Sequence, residues 1–541
     1  MRNRYSILAI ALLMCFLDIK GVGYYFYVQL KDKNNTPYSL SAPSAYLSQR
    51  ALERRTFFQI AIDSTDLPVN QSYISQIEAT NVKVHCTSKW INGVTVTTSD
   101  SSLITAVQNL NFVKFVQFTG KTGISGSLIS RQKFPHETVN TDYGQAVTQI
   151  NQLNGAVLHN NGYRGEGMQI AVIDAGFYNV DINAGFDSLR NEGRLLGTKD
   201  FVNPQSNIYA ENSHGANVLS TMAGNIKDTY VGTAPKASYW LIRSEAANTE
   251  NLCEPDFWIS AIEFADSAGV DISTTSLGYT EFDNPAMNFS YADMNGTTVR
   301  ASIAASMAAA KGIMVLNSAG NEGNKPWHYI GVPADAQHII AVGAVTSAGT
   351  AGAFSSFGPS SDGRVKPELC ALGAPSALIG VGGTVSYGNG TSYSCPILAG
   401  MTACFLQAVK AKKPSLSLND IREMMYRSAN LYDSPTTQMG YGIPNFQTAY
   451  TQLTNLATKN QSNDIEISVY HDIKQNQLNI RVGKSINNNL SLKLYNTAGT
   501  LIKSVQINTN NFRIDTQLMP QGVYILNINN GISTANKRVI L

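Results

Sequence analysis

The period of the apolar positions changes along this chain, and each change marks a boundary. Residues 24 to about 120 mix alternating stretches with helical ones. Tyr24–Leu30 and Phe112–Phe118 alternate as strands do, and Val82–Thr97 contains further strand-like runs. Pro43–Arg55, Tyr73–Ala79 and Leu103–Leu110 carry helical spacing, so the segment reads as a small α+β unit. Between Gly120 and about Tyr143 the periodicity vanishes and Gly, Ser, Thr and Lys accumulate, as in a linker.

From about Gln145 to Leu456 short β-branched runs alternate with helical patterns. The runs are Ile170–Asp174, Tyr239–Arg243, Val270–Ser276, Ile313–Asn317 and Ile339–Val345, with helices such as Phe257–Ala268 and Val299–Lys311 between them. This alternation predicts an α/β, doubly wound parallel sheet with helices on both faces. From about Asn463 to Leu541 the pattern is all strand, with turn signals every 8–12 residues or so, and predicts a small β-sandwich.

The first residues differ from all of these. Arg2 and Arg4 precede an apolar core, Ile7–Leu17, which is too short to cross a bilayer and has the form of a signal peptide, with small residues at Gly21 to Gly23 for cleavage. No later run reaches the ~18 apolar residues of a membrane span. Composition agrees with export. Only 14% of the 541 residues are charged, against the ~25% of an average soluble protein, and Asn, Ser, Thr and Gln take the place of the missing charge. The hydrophobic fraction of 43% excludes wholesale disorder, and a net charge of +2 argues against nucleic acid as a partner. Cys15, Cys86, Cys253, Cys370, Cys395 and Cys404 form no CxxC pair, which excludes a zinc ribbon and a disulfide scaffold. One bridge among the last four and buried free thiols both remain open. His136-Glu137 lacks the second His of a zincin helix.

Four segments of the α/β region carry chemistry. IleAlaValIleAspAlaGly places Asp174 at the carboxyl end of a strand, where open α/β sheets bind ligands. AsnSerHisGlyAlaAsnVal opens a helix at His214, where the dipole disfavours a positive ring and small residues allow a close approach. GlyAsnGlyThrSerTyrSerCysPro sets Ser392 at the mouth of another helix, with Pro396 at a local cost near the end of the first turn. ValLeuAsnSerAlaGlyAsnGluGly ends a strand and puts Asn321 in a turn. Each alone has an ordinary explanation as a cap or turn residue. Together they supply a nucleophile (Ser392), a base (His214), a carboxylate to orient it (Asp174) and an amide donor for developing oxyanion charge (Asn321).

The order Asp, His, Ser, with no GxSxG elbow around Ser392, resembles the subtilisin-like serine proteases, or subtilases, over roughly residues 145–455. Further matches are Gly232-Thr-Ala-Pro235, ThrSerLeuGly at 275–278, SerAlaGlyAsn at 318–321 and AlaValGlyAlaVal at 341–345. The resemblance implies a serine endopeptidase with a Ser-His-Asp triad, acting on protein or peptide substrates through an acyl-enzyme. It implies Asn321 in the oxyanion hole and substrate contacts at Ser276, Leu277, Gly278, Ser318, Ala319 and Gly320. Tyr279 and Phe282 suggest themselves as specificity residues. Asn217 stands where the family motif has a second His. The chemistry requires no cofactor or metal. Structural calcium is common in the family, but no ligand set carries over, so it stays unassigned.

The flanks resemble known parts too. Residues 24–122 look like the ferredoxin-like inhibitory propeptide of secreted subtilases. SerGlnArgAlaLeuGluArgArg at 48–55 and SerLysTrpIleAsnGly at 88–93 look like stretches of Bacteroidetes-type enzymes. LeuTyrAsnThrAlaGly at 494–499, LeuMetProGlnGlyValTyrIleLeu at 518–526 and the final LysArgValIleLeu look like a type IX secretion sorting domain. The expected plan is a signal peptide (1–23), propeptide (24–122), linker (123–144), catalytic domain (145–456) and C-terminal sorting sandwich (463–541). The product would be a secreted or cell-surface, self-processing zymogen with a monomeric mature form. Its partners would be its own propeptide and the secretion machinery. A narrow-specificity processing peptidase and a noncatalytic subtilase-fold binding module are the alternatives.

Overall fold

The computed structural model describes residues 23–121, 143–412, 415–461, 467–472, 475–482, 490–507, 509, 511–529 and 534–541. All but the last residue of the expected signal peptide, nearly all of the expected linker and any cleavage bond within it lie outside the described residues. The chain divides into two units, Met1–Ala449 and Tyr450–Leu541.

In the first unit, strands Lys83–Ser88, Gly93–Thr98, Tyr24–Leu30 and Val113–Lys121 form an antiparallel sheet in that order, with Val28, Val94, Val96 and Ile77 in its core. This is the βαββαβ order of a ferredoxin-like fold. The helical stretch expected over Pro43–Arg55 is broken: a short 3-10 turn at Pro43–Ala45 precedes helix Gln49–Phe57, whose start is fixed by the Ser48 hydroxyl accepting from Ala51 N.

The second layer system is a seven-stranded sheet in the order Leu369–Ala374, Ile340–Thr346, Met314–Ser318, Ile272–Thr275, Gln169–Asp174, Ser238–Arg243, Leu195–Asp200, with parallel pairing throughout. Five of these strands coincide with the apolar runs. The two outermost, Leu195–Asp200 and Leu369–Ala374, were not among them. One face of the sheet packs on helices Glu254–Ala268 and Arg300–Ala310 through Ala171, Ile173, Ile242 and Val315. Helices His214–Ala223 and Thr391–Lys412 pair with each other and against the sheet. Helix Thr391–Lys412 is long and apolar enough to pass for a membrane span, but most of that window is buried, as in a core helix.

The antiparallel sheet lies on helices Glu254–Ala268 and Arg300–Ala310. Cys86 Sγ approaches Asp256 O, Ser260 Oγ donates to Thr87 O at 3.0 Å, and the Arg300 guanidinium stacks 3.9 Å from the Tyr27 ring. Gly269 ends helix Glu254–Ala268 with φ +88°, and a Cβ there would lie 2.6 Å from Ala51 N, so only glycine allows the Gln49–Phe57 helix to sit so close.

The second unit is a sandwich of a three-stranded and a four-stranded antiparallel sheet around Leu478, Ile480, Leu492, Leu494, Leu526 and Ile528. The described residues of this unit hold seven strands, as the all-strand pattern of the sequence predicts. The five described cysteines are buried free thiols, so no bridge joins the last four.

Candidate active site

Asp174 is the last residue of strand Gln169–Asp174 and is fully buried. Its Oδ1 accepts from Ala175 N at 2.7 Å and from His214 Nδ1 at 2.8 Å. His214 opens helix His214–Ala223, its backbone N–H donating to Asn212 Oδ1 at 2.8 Å. The helix can come this close because residue 215 is glycine: a Cβ there would lie 2.4 Å from Gly176 O and 2.9 Å from Asp174 Cβ. The His214 side chain stays 31% exposed, so the ring's other nitrogen can be reached from outside. Burial alone would lower the His214 pKa, but the Asp174 charge and hydrogen bond outweigh it and raise it above 6.5.

Ser392 lies in the first turn of helix Thr391–Lys412 and is 9% exposed. Its hydroxyl donates to Ser276 O at 3.4 Å, and its carbonyl accepts from Ser276 Oγ at 2.9 Å. No hydrogen bond joins Ser392 Oγ to the His214 ring in this rotamer. Asn321 is turned by a residue that sequence reasoning passed over, Thr391. Its Oδ1 accepts from Thr391 N at 2.9 Å and from Thr391 Oγ1 at 3.0 Å, which leaves its Nδ2 as the free end of the amide. A Cβ built on Gly390 would lie 3.6 Å from Ser392 N and 3.8 Å from Asn321 Nδ2, so these two donors border one small space.

A cavity of about 140 Å³ opens beside Ser392. It is lined by all six expected contact residues, Ser276, Leu277, Gly278, Ser318, Ala319 and Gly320, together with Asn321 and with Thr280, Glu322 and Gly331, which the motifs did not single out. Among the described residues none bonds to the Gly278 amide or carbonyl, so this segment keeps an open backbone edge. The suggestion of Tyr279 and Phe282 as specificity residues fails. They are 1% and 5% exposed and belong to the core under helix Glu254–Ala268. Among the described residues no group of three or more His, Cys, Asp or Glu is arranged to hold a metal, so no calcium site is assigned.

Comparison with known proteins agrees with this picture. Residues 165–446 match the family model described as the subtilase family, residues 25–134 that of the peptidase S8 propeptide domain of Bacteroidota, and residues 474–541 that of the secretion system C-terminal sorting domain. Subtilisin NAT of Bacillus subtilis subsp. natto is 30% identical over 312 residues, covering 57% of this chain and 72% of that protein. Subtilisin of Bacillus pumilus is 29% identical, covering 56% of this chain and 97% of that one. Subtilisin DY of Bacillus licheniformis is 31% identical, covering 53% and 92%. The chain belongs to the subtilase family, as a serine endopeptidase made as an exported zymogen between a propeptide and a secretion sorting domain.

Proposed function

We propose that Ser392, His214 and Asp174 hydrolyse peptide bonds through an acyl-enzyme, and that the same site cuts the chain's own propeptide away. The observation that carries this reading is the 2.8 Å bond from His214 Nδ1 to buried Asp174, on a ring that stays 31% exposed and lies 6.3 Å from the ring of Tyr393, the residue after Ser392. That bond fixes the tautomer with Nε2 free to accept a proton. A rotation of Ser392 away from the Ser276 carbonyl would free its hydroxyl to donate to Nε2. The oxygen then attacks the scissile carbonyl while Nε2 takes the proton. His214 returns that proton to the leaving amine, and water repeats the cycle on the ester. Ser392 N and Asn321 Nδ2, which border one small space, would receive the oxyanion. The open backbone at Gly278 suits an extended substrate backbone, with its side chain in the adjoining cavity.

Reaction with a fluorophosphonate tests the reading. The adduct should map to Ser392, with an acid limb in its pH dependence above pH 6.5, since the base must be neutral. Asp174→Asn should move that limb down, because the groups that raise the ring's pKa are lost. Mapping of the label to another residue, or a limb that Asp174→Asn leaves in place, sinks the assignment. Asn321→Ala should lower kcat by ~10²–10³, as the corresponding loss does in subtilisin, with KM nearly unchanged.

A further inference from the structure

The residue after Ser392 is a tyrosine, in the first turn of helix Thr391–Lys412. Tyr393 N donates to Gly390 O at 3.1 Å, which fixes the backbone of the turn. A Cβ built on Gly388 would lie 2.5 Å from Tyr393 Cε2 and 3.0 Å from its Cζ, so the ring rests directly on the end of strand Val385–Gly388, and only glycine leaves it that space. Leu378 Cδ2 lies 3.1 Å from the same point, on strand Ser376–Ile379, which pairs with Val385–Gly388. The ring therefore has a firm seat and little freedom to move. It also neighbours the base: the Tyr393 and His214 centroids are 6.3 Å apart, with the planes at 36°. Tyr393 is half-buried, so part of this ring stays open to solvent beside His214.

These two rings stand outside the cavity, whose lining includes Ser392 but neither His214 nor Tyr393. A peptide with one side chain in the cavity continues past Ser392 on the other side of the scissile bond. The amine that leaves must come within hydrogen-bond reach of His214 to receive its proton. The residue bearing that amine therefore sits beside the imidazole, and its side chain competes for space with Tyr393. Carbon atoms touch at about 3.5–4.0 Å, so a group lodged between the two rings would need roughly 7–8 Å from one to the other. The observed 6.3 Å does not admit it, and the tilt brings the ring edges closer still. A branched side chain on the leaving residue has to pass over the edge of Tyr393.

We propose that Tyr393 is a specificity-determining residue on the leaving-group side: it admits a small residue (Gly, Ala or Ser) directly after the scissile bond and turns away β-branched and bulky ones. The inference rests on the site described under the proposed function and concerns the side of the substrate that the cavity does not read. A misfit of one methylene is worth roughly 10–200-fold in kcat/KM. Substrates with one acyl part share one acyl-enzyme, so the selection acts on acylation. By microscopic reversibility an amine that attacks the acyl-enzyme meets the same wall.

The test compares two peptides in the self-processed enzyme, identical up to the scissile bond and carrying Ala or Val after it. Wild type should cleave the Ala peptide at least about tenfold more efficiently in kcat/KM. Tyr393→Phe should keep that preference, since the ring and not the hydroxyl forms the wall. Tyr393→Ala should bring the two peptides within about threefold. Tyr393→Leu, which keeps an apolar side chain over Gly388 without the flat ring, should give an intermediate ratio and serves if the Ala variant does not fold. A second arm uses an ester of the same acyl part. Alaninamide should capture the wild-type acyl-enzyme at least about tenfold better than valinamide, and the same variants should shrink that ratio. Equal cleavage of both peptides by wild type overturns the assignment, as does a preference that Tyr393→Ala and Tyr393→Leu leave in place. Wild type that cleaves both peptides equally keeps the proposed function and loses only the role of Tyr393. An enzyme that neither turns over peptide or ester nor labels with a fluorophosphonate fails the proposed function and takes this inference with it.

Discussion

Ser392→Ala is expected to lower peptide hydrolysis by about 10⁶-fold, the loss that removal of the nucleophile brings in subtilisin, with a residual ~10³–10⁴ over water from the oxyanion donors and binding. The substitution removes one oxygen from a residue 9% exposed and breaks one long hydrogen bond, to Ser276 O at 3.4 Å. The reverse bond, from Ser276 Oγ to the Ser392 carbonyl at 2.9 Å, uses only the main chain of residue 392 and survives. Folding should therefore be unharmed, and the fall should appear in kcat rather than in expression or melting temperature. Because the same hydroxyl is proposed to cut the propeptide away, the variant should accumulate with residues 24–121 still attached. Processing at the wild-type rate, in a preparation free of other proteases, would remove self-cleavage from the scheme even if turnover were lost.

Much of this site was legible because motif residues sit where secondary structure changes. Asp174 ends an apolar β-branched run, His214 and Ser392 each open a helix, and glycines surround all of them. What stayed hidden depends on which polar faces are covered. Strand Leu195–Asp200 escaped notice because it is an edge strand, its residues half-buried or exposed up to Asp200, so it lacks an apolar run. Strand Leu369–Ala374 is buried but built from Ala, Gly, Cys and Leu, without the β-branched residues that mark the others. Helix Glu254–Ala268 was read as beginning at Phe257 because Glu254 and Asp256 look like solvent residues. In fact they are 1% and 4% exposed, Glu254 accepting from Ala246 N and Asn251 N and Asp256 paired with Arg300 beneath the antiparallel sheet. Hydrophobic periodicity cannot tell a face that meets water from one that meets another domain through charges. Thr391 was missed for a related reason: its role is to turn Asn321, and a residue that acts through another leaves no spacing of its own.

The same covered face carries the second large expected effect. Asp266, on helix Glu254–Ala268, is fully buried and takes three cations from the antiparallel domain: Arg54, Arg55 at 2.7 Å and Lys89 at 2.8 Å. Burial alone would raise its pKa, but Lys89, Arg54 and Arg55 outweigh it and hold the carboxyl well below 3.8. This contribution to docking is therefore present above about pH 3.8 and is lost only as pH falls toward the depressed value. Asp266→Asn keeps the shape and removes the charge, leaving Arg54 and Lys89 without a carboxylate partner, while Arg55 keeps Asp66 at 3.0 Å. Breaking a buried pair in this way costs roughly 3–5 kcal/mol, which weakens docking by about 10²–10³-fold or more. In the full-length Ser392→Ala background, an unrelated protease should digest residues 24–121 at least about 10²-fold faster when Asp266 is replaced, since digestion tracks the open population when reclosing is fast. Adding Lys89→Met should restore part of the protection, because one uncompensated charge is then gone, and the double-mutant cycle should show coupling between the two positions. Digestion at the wild-type rate in Asp266→Asn would mean that the apolar contacts around Cys86, Cys253 and Phe257 hold the domain by themselves, with the buried charges a product of docking rather than its cause.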